Sequence, residues 1–279
     1  MKVALCNEVI RTMPIEEQAA FAATLGYDGL EIAPFTLDAD RPHRLSDGAI
    51  AAVRQAVEVG GLAVSGLHWL LVAPPGLSMT SAEPAIREAT REVMRGLIDL
   101  CAGLGGRYLI HGSPAQRQLE AGREAEGRAA ALEYFREAAE RAAAAGVVYC
   151  LEPLSPDQTS FVTSLAEAAE IVAEVGAPAF RAMIDCSAAA LSETEGIPAL
   201  LRQNLPAGLI RHVHFNDPNR RGPGEGGLAF TPIVQELLDL GYDGWIGVEP
   251  FVYEPDGPAC AARAIGYVRA LEEAASCEA

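Results

Sequence analysis

Residues 210–226 read IRHVHFNDPNRRGPGEG, a short apolar strand that delivers His212 and His214 and then opens into a polar, glycine-rich loop. Ile210, Val213 and Phe215 alternate with polar residues as a strand requires, and Asn216-Asp217-Pro218 ends the pattern with turn chemistry. A strand that stops at His and Asp presents ligand-type side chains at its end. Taken alone, these histidines could equally satisfy neighbouring backbone groups. The reading therefore turns on whether other strands end the same way.

Working outward, the chain repeats one strand-helix unit. Lys2–Val9 is an apolar strand, and Pro14, Glu16 and Glu17 start a helix that runs to Leu25, where Gly26 stops it. Strands follow at Gly29–Ile32, Ala63–Leu67, Arg107–Ile110, Val147–Leu151, Arg181–Ile184 and Trp245–Val248. Helices follow at Ser46–Gly60, Pro84–Leu104, Glu120–Ala145, Ser164–Val175, Ile197–Leu205, Thr231–Leu240 and Pro258–Ala275, with Ser164 and Glu167 spaced as a capping box. Near-continuous apolar strands alternating with helices imply a parallel sheet. Eight such units in 279 residues predict a single α/β domain over 1–279, a closed (β/α)8 TIM barrel. An open doubly wound sheet is the alternative. It lacks support because LCNEVIRTMP, with no G-x-G-x-x-G, follows the first strand.

Half of the chain is hydrophobic, enough for a sizeable core. A formal charge of −17 gives an acidic surface that repels nucleic acid and anionic membranes. Lys2 is the only lysine, which argues against a Schiff-base mechanism. The six cysteines form no C-x-x-C pair, so neither a zinc ribbon nor a disulfide framework is indicated. No signal peptide or membrane-spanning run is read, and a cytoplasmic location is expected.

In such a barrel the chemistry sits at the C-terminal strand ends. Those ends are Asn7-Glu8, Glu31, His68-Trp69, His111, Glu152, Asp185, His214 and Glu249. Four of them, Glu152 in YCLEP, Asp185 in AMIDC, His214 and Glu249 in GVEPF, end consecutive strands. Three converging carboxylates would raise one another's pKa unless a cation compensates, so a divalent metal is expected there. Three oxygen donors and an imidazole suit Mn²⁺, Mg²⁺ or Co²⁺, with Mn²⁺ first, better than a structural Zn²⁺ site, though Zn²⁺ also fits. His68 and His111 could bind substrate or a second metal, or simply bond to the rim. Trp69, Phe35 and Phe251 could wall a sugar's C–H face or be core, and Arg220 could hold a polyol or phosphate or be solvated.

With LGYDGLEI, LEP, ID, HVHFNDPNRRGPGEG and LGYDGWIGVEPF in place, the whole chain resembles the xylose-isomerase-like TIM-barrel superfamily, most closely its ketose 3-epimerase and hydroxypyruvate-isomerase branch. The resemblance implies that Glu152, Asp185, His214 and Glu249 ligate one divalent cation, that Glu152 and Glu249 double as the acid/base pair, and that Arg220 contacts substrate. It also implies substrate contacts at two positions where this chain departs, Gln158 in place of a glutamate and Ala188 in place of a histidine. The expected reaction is isomerisation or epimerisation of a sugar or small keto-polyol. A metal-polarised carbonyl acidifies the neighbouring C–H, one carboxylate removes the proton, and the other returns it through a metal-stabilised enediolate. Dehydration by a lyase of the same superfamily uses the same constellation. An endonuclease IV-like phosphodiesterase would use His68 and His111, but the acidic charge opposes DNA. Barrels of this kind often pair through exposed apolar helix faces, so a homo-oligomer is possible, but the sequence leaves the oligomeric state open.

Overall fold

The computed structural model describes residues 1–277. Eight parallel strands close into a ring in chain order, β1 Lys2–Cys6, β2 Gly29–Ile32, β3 Ala63–Leu67, β4 Tyr108–His111, β5 Val148–Leu151, β6 Phe180–Asp185, β7 Ile210–Phe215 and β8 Trp245–Val248, with β8 paired back to β1. Around them run α1 Ile15–Leu25, α2 Asp47–Val59, α3 Pro84–Leu104, α4 Glu124–Ala145, α5 Leu165–Val175, α6 Cys186–Ser192, α7 Ile197–Asn204, α8 Thr231–Asp239 and α9 Gly257–Cys277. The expected TIM barrel is the fold observed.

Local chemistry explains the boundaries. Ser46 Oγ accepts from Ala49 N–H and Ser164 Oγ from Glu167 N–H, which supplies partners for backbone donors that have none inside the helix. Glu167 Oε2 accepts from Thr163 N–H, one residue earlier than a capping box requires. Gly26, Gly105, Gly146 and Gly176 end their helices with positive φ, a conformation glycine adopts without steric cost.

Side-chain alternation makes two layers of core. One apolar cluster fills the space between strands and helices, and a smaller one of Tyr108, Ile110, Cys150 and Met183 fills the ring. The ring also contains polar groups, because His212 lies 4.2 Å from the Tyr108 ring and Tyr108 donates to Glu31 at 2.8 Å.

Helix α4 begins at Glu124, four residues after the expected Glu120, and two further departures have a clear cause. The first strand stops at Cys6, not Val9, and a 3-10 turn covers Asn7–Ile10. Buried Asn7 ends it, since Oδ1 accepts from Ala33 N–H at 2.8 Å while Nδ2 donates to Gln18 and Thr36. Helix α6 was not anticipated. Asp185 starts it directly from the strand end, with Oδ1 accepting from Ala188 N–H at 2.7 Å.

Candidate active site

The barrel geometry brings Glu152, Asp185, His214 and Glu249 together at the C-terminal ends of β5 to β8. Each offers a ligand-type atom, and these atoms all lie within 4.8 Å of one another. All four side chains are buried. Burial, with Glu249 and Asp185 alongside, pushes the Glu152 carboxyl up to about 8. Asp185 is pushed up to about 6, again by burial and by Glu249. Burial pushes Glu249 the same way, but the adjacent His214 and His68 outweigh it and hold its carboxyl low.

The imidazole of His214 is oriented from below. Its Nε2 lies 2.8 Å from Glu31 Oε1, so the ring donates there and turns Nδ1 towards the acids, 2.9 Å from Glu249 and 4.0 Å from Asp185. Glu31 also sits 3.0 Å from His212 Nε2 and accepts from Tyr108. Burial raises the Glu31 carboxyl, yet the two imidazoles outweigh that and hold it well below the usual range. A carboxylate behind an imidazole fixes the tautomer that leaves the facing nitrogen free for a cation. The donor set thus fits a divalent ion: three carboxylates with too little positive charge between them, and a buried Nδ1 that lacks a well-aligned hydrogen-bond partner.

Neighbours hold the acids in place. Glu249 Oε1 accepts from Trp69 Nε1 at 2.9 Å and lies 3.0 Å from His68 Nδ1. The other His68 nitrogen is 3.0 Å from Glu8, and burial of the imidazole is outweighed by Glu8 and Glu249, which raise it to about 10. Asn216 Nδ2 donates to Asp185 Oδ2 at 2.6 Å, and the fully buried Arg117 donates to the Glu152 carbonyl at 2.7 Å. The Glu152 carboxylate itself accepts no side-chain hydrogen bond among the described residues.

Other expected site residues separate into those at the rim and those elsewhere. Trp69 lies between Phe35 and Phe251, with ring centroids 6.3 and 6.1 Å away, which gives one aromatic wall. Arg220 is exposed and holds its guanidinium 4.9 Å from the Phe251 ring, while its carbonyl accepts from Phe251 and Val252 N–H. Gln158 is exposed and donates to Ser155 Oγ, and Ala188 has only a methyl where an imidazole would stand. His111 is not brought to the cluster. Three residues beyond inward-facing Tyr108, it points outward against Tyr134, Phe135 and Tyr149, with Nδ1 2.7 Å from the Tyr149 hydroxyl. The paired histidines of an endonuclease IV-like site are therefore not assembled.

Sequence reasoning gave no role to Glu31, Glu8, Asn216 or Arg117. An acid within the apolar strand GLEI was a signal for the first. For Arg117 there was none, because its burial depends on a loop.

Comparison with known proteins identifies the family that carries this fold. The model of the family described as xylose isomerase-like TIM barrel matches residues 19–271. Fructoselysine 3-epimerase of Shigella flexneri is 25% identical over 93% of this chain and 94% of its own. D-psicose 3-epimerase of Ruminiclostridium cellulolyticum is 26% identical over 82% and 76%. The solved structure of E. coli 3-keto-D-glucoside 4-epimerase superposes with a TM-score of 0.82 at 20% identity, covering 97% of this chain and 99% of that one, a likeness of fold. By the extent of the family match and the closed barrel that carries it, this chain belongs to the xylose isomerase-like TIM-barrel family.

Proposed function

We propose that the protein is a sugar isomerase or epimerase, acting on a sugar or small keto-polyol, in which Glu152, Asp185, His214 and Glu249 hold one divalent cation, Mn²⁺ by preference. The observation that carries this reading is the convergence of these four buried donors within 4.8 Å, with His214 turned by Glu31 to face the acids. The relatives named as epimerases of sugar derivatives support the substrate class. In this proposal residues 1–279 form one catalytic domain.

When bound, the cation supplies Lewis acidity that polarises a carbonyl and stabilises the negative charge developing beside it. Glu152 and Glu249 move the proton. The Glu152 carboxyl, pushed up to about 8 by burial and its acidic neighbours, would be ionised by a bound cation beside it, and with no side-chain donor to satisfy first it is then the group free to take a proton from the carbon next to the carbonyl. Glu249, held at Oε1 by Trp69 and by His68, reaches the substrate from a different strand and relays to the carbon a proton that the charged His68 beside it supplies, while Glu152 gives up its own to solvent to close the cycle. Return to the opposite face of the same carbon gives an epimer, and return to the adjacent carbon gives an isomer. Phe35, Trp69 and Phe251 form an apolar face for the C–H side of the substrate, and exposed Arg220 offers donors to its hydroxyls.

Gln158 and Ala188 leave the pocket without an ionisable group at two positions, so substrate choice differs from that of a ketohexose epimerase. The test is Mn²⁺ titration by calorimetry on the wild type and on Glu152→Gln. One ion per chain, bound at least tenfold more weakly by the variant, is expected. Equal affinity in both proteins would remove Glu152 from the site.

A further inference from the structure

At the opposite, N-terminal end of the barrel lies a cavity of about 390 Å³. Lys2, Arg107 and Arg211 line it together with Tyr108, Trp245 and a single carboxylate, Asp243. Topology causes the gathering. Lys2 opens β1, Arg107 immediately precedes β4, and Arg211 is the second residue of β7, so all three project where the strands begin.

The three cations are unusual in this chain. Lys2 is its only lysine, and the net charge is −17. Arg91, Arg95 and Arg141 on α3 and α4, like most other arginines, pair with a glutamate or aspartate. Among the described residues, Lys2, Arg107 and Arg211 form no ion pair and donate no side-chain hydrogen bond, although Asp243 shares their cavity. Lys2 Nζ instead lies 5.8 Å from the Trp245 ring. Gathering like charges costs energy that a bound anion would offset. Guanidinium forks match the oxygens of a phosphoryl group, and a volume of this order suits a small molecule.

We propose that this end of the barrel binds the phosphoryl group of a small phosphate monoester, held by Arg107, Arg211 and Lys2. Tyr108 and Trp245 offer an apolar wall to the esterified part, and Asp243 can accept one of its hydroxyls. This cavity and the carboxylate cluster lie at opposite ends of the strands, and none of the four donors lines the cavity, so the proposal does not depend on the catalytic reading.

Calorimetric titration of the full chain with a hexose 6-phosphate, with ionic strength fixed by sodium chloride, tests it. Saturable binding is expected, weakened at least tenfold in the Arg107→Gln/Arg211→Gln double variant, weakened less in Lys2→Gln, and absent for the unphosphorylated hexose at this site. Glu152→Gln should bind the ester as the wild type does. The three basic side chains are exposed, and the double variant should unfold at the wild-type temperature without ligand. The proposal is overturned by equal binding to wild type and double variant, by a signal that sodium chloride reproduces, or by no binding at all.

Discussion

Glu31 is where the site's most consequential hydrogen bonds meet, since it faces His214, His212 and Tyr108 at once. Replacing Glu31 by Gln leaves the volume but gives His214 Nε2 an ambiguous partner. Metal affinity should fall about 10- to 100-fold, read by titration with Mn²⁺, with the fold retained. Unchanged affinity would show that His214 needs no such support. At Glu152, substitution by Gln removes the carboxylate without removing side-chain bulk. Turnover should drop by a factor on the order of 10³ or more, while circular dichroism remains that of the wild type. The four-donor cluster was legible in the sequence because each member directly follows an apolar run. Glu31 was visible there as a strand-end acid, but its role was not. Only closure of the ring shows that β2 reaches under β7.

At the scale of elements, strand alternation decides what faces the site. His111 illustrates it, being a strand-end imidazole that register turns towards α4. Burial, and then the charge of Arg117, lowers it to about 3, below the ordinary value of about 6.5. The folded chain therefore binds fewer protons at this position than the unfolded one. The resulting stability is complete above pH 6.5 and is lost as pH falls from there towards 3. Between pH 6.5 and 5 this amounts to at most about 2 kcal/mol. Urea unfolding should show a His111→Gln variant losing less stability than the wild type over that interval, and parallel losses would contradict the assignment. Asn7 is the element-level counterpart at the end of β1. Its replacement by Ala leaves buried Ala33 N–H without its partner, and a cost of about 2–3 kcal/mol is expected in the same experiment. The strand overshoot to Val9 has this origin, because an apolar run alone does not reveal an asparagine committed to a neighbouring strand. Helix α6 escaped for a related reason, as Asp185 both ends a strand and caps a helix with no residue between them.

For the whole molecule, the eight-fold repeat of apolar strand, polar strand end and helix made the barrel readable throughout, since each unit carries its own start and stop signals. What the repeat does not encode is which strand-end residues meet, and this depends on register and on loops such as the one that buries Arg117. The same closure leaves Lys2, Arg107 and Arg211 at the base and the acids at the mouth. No helix among the described residues is long and apolar enough to cross a membrane.

In the proposed reaction the carboxylates at the barrel mouth move a carbon-bound proton with the help of a divalent ion. Solvent deuterium incorporation into a panel of ketoses and keto-polyols, followed by NMR on the protein with Mn²⁺ and after exhaustive chelation, tests it most directly. Deuterium should enter at a carbon next to the carbonyl, stop on metal removal and return on adding Mn²⁺. Undiminished exchange by the metal-free protein, or no exchange with any member of the panel, would contradict it.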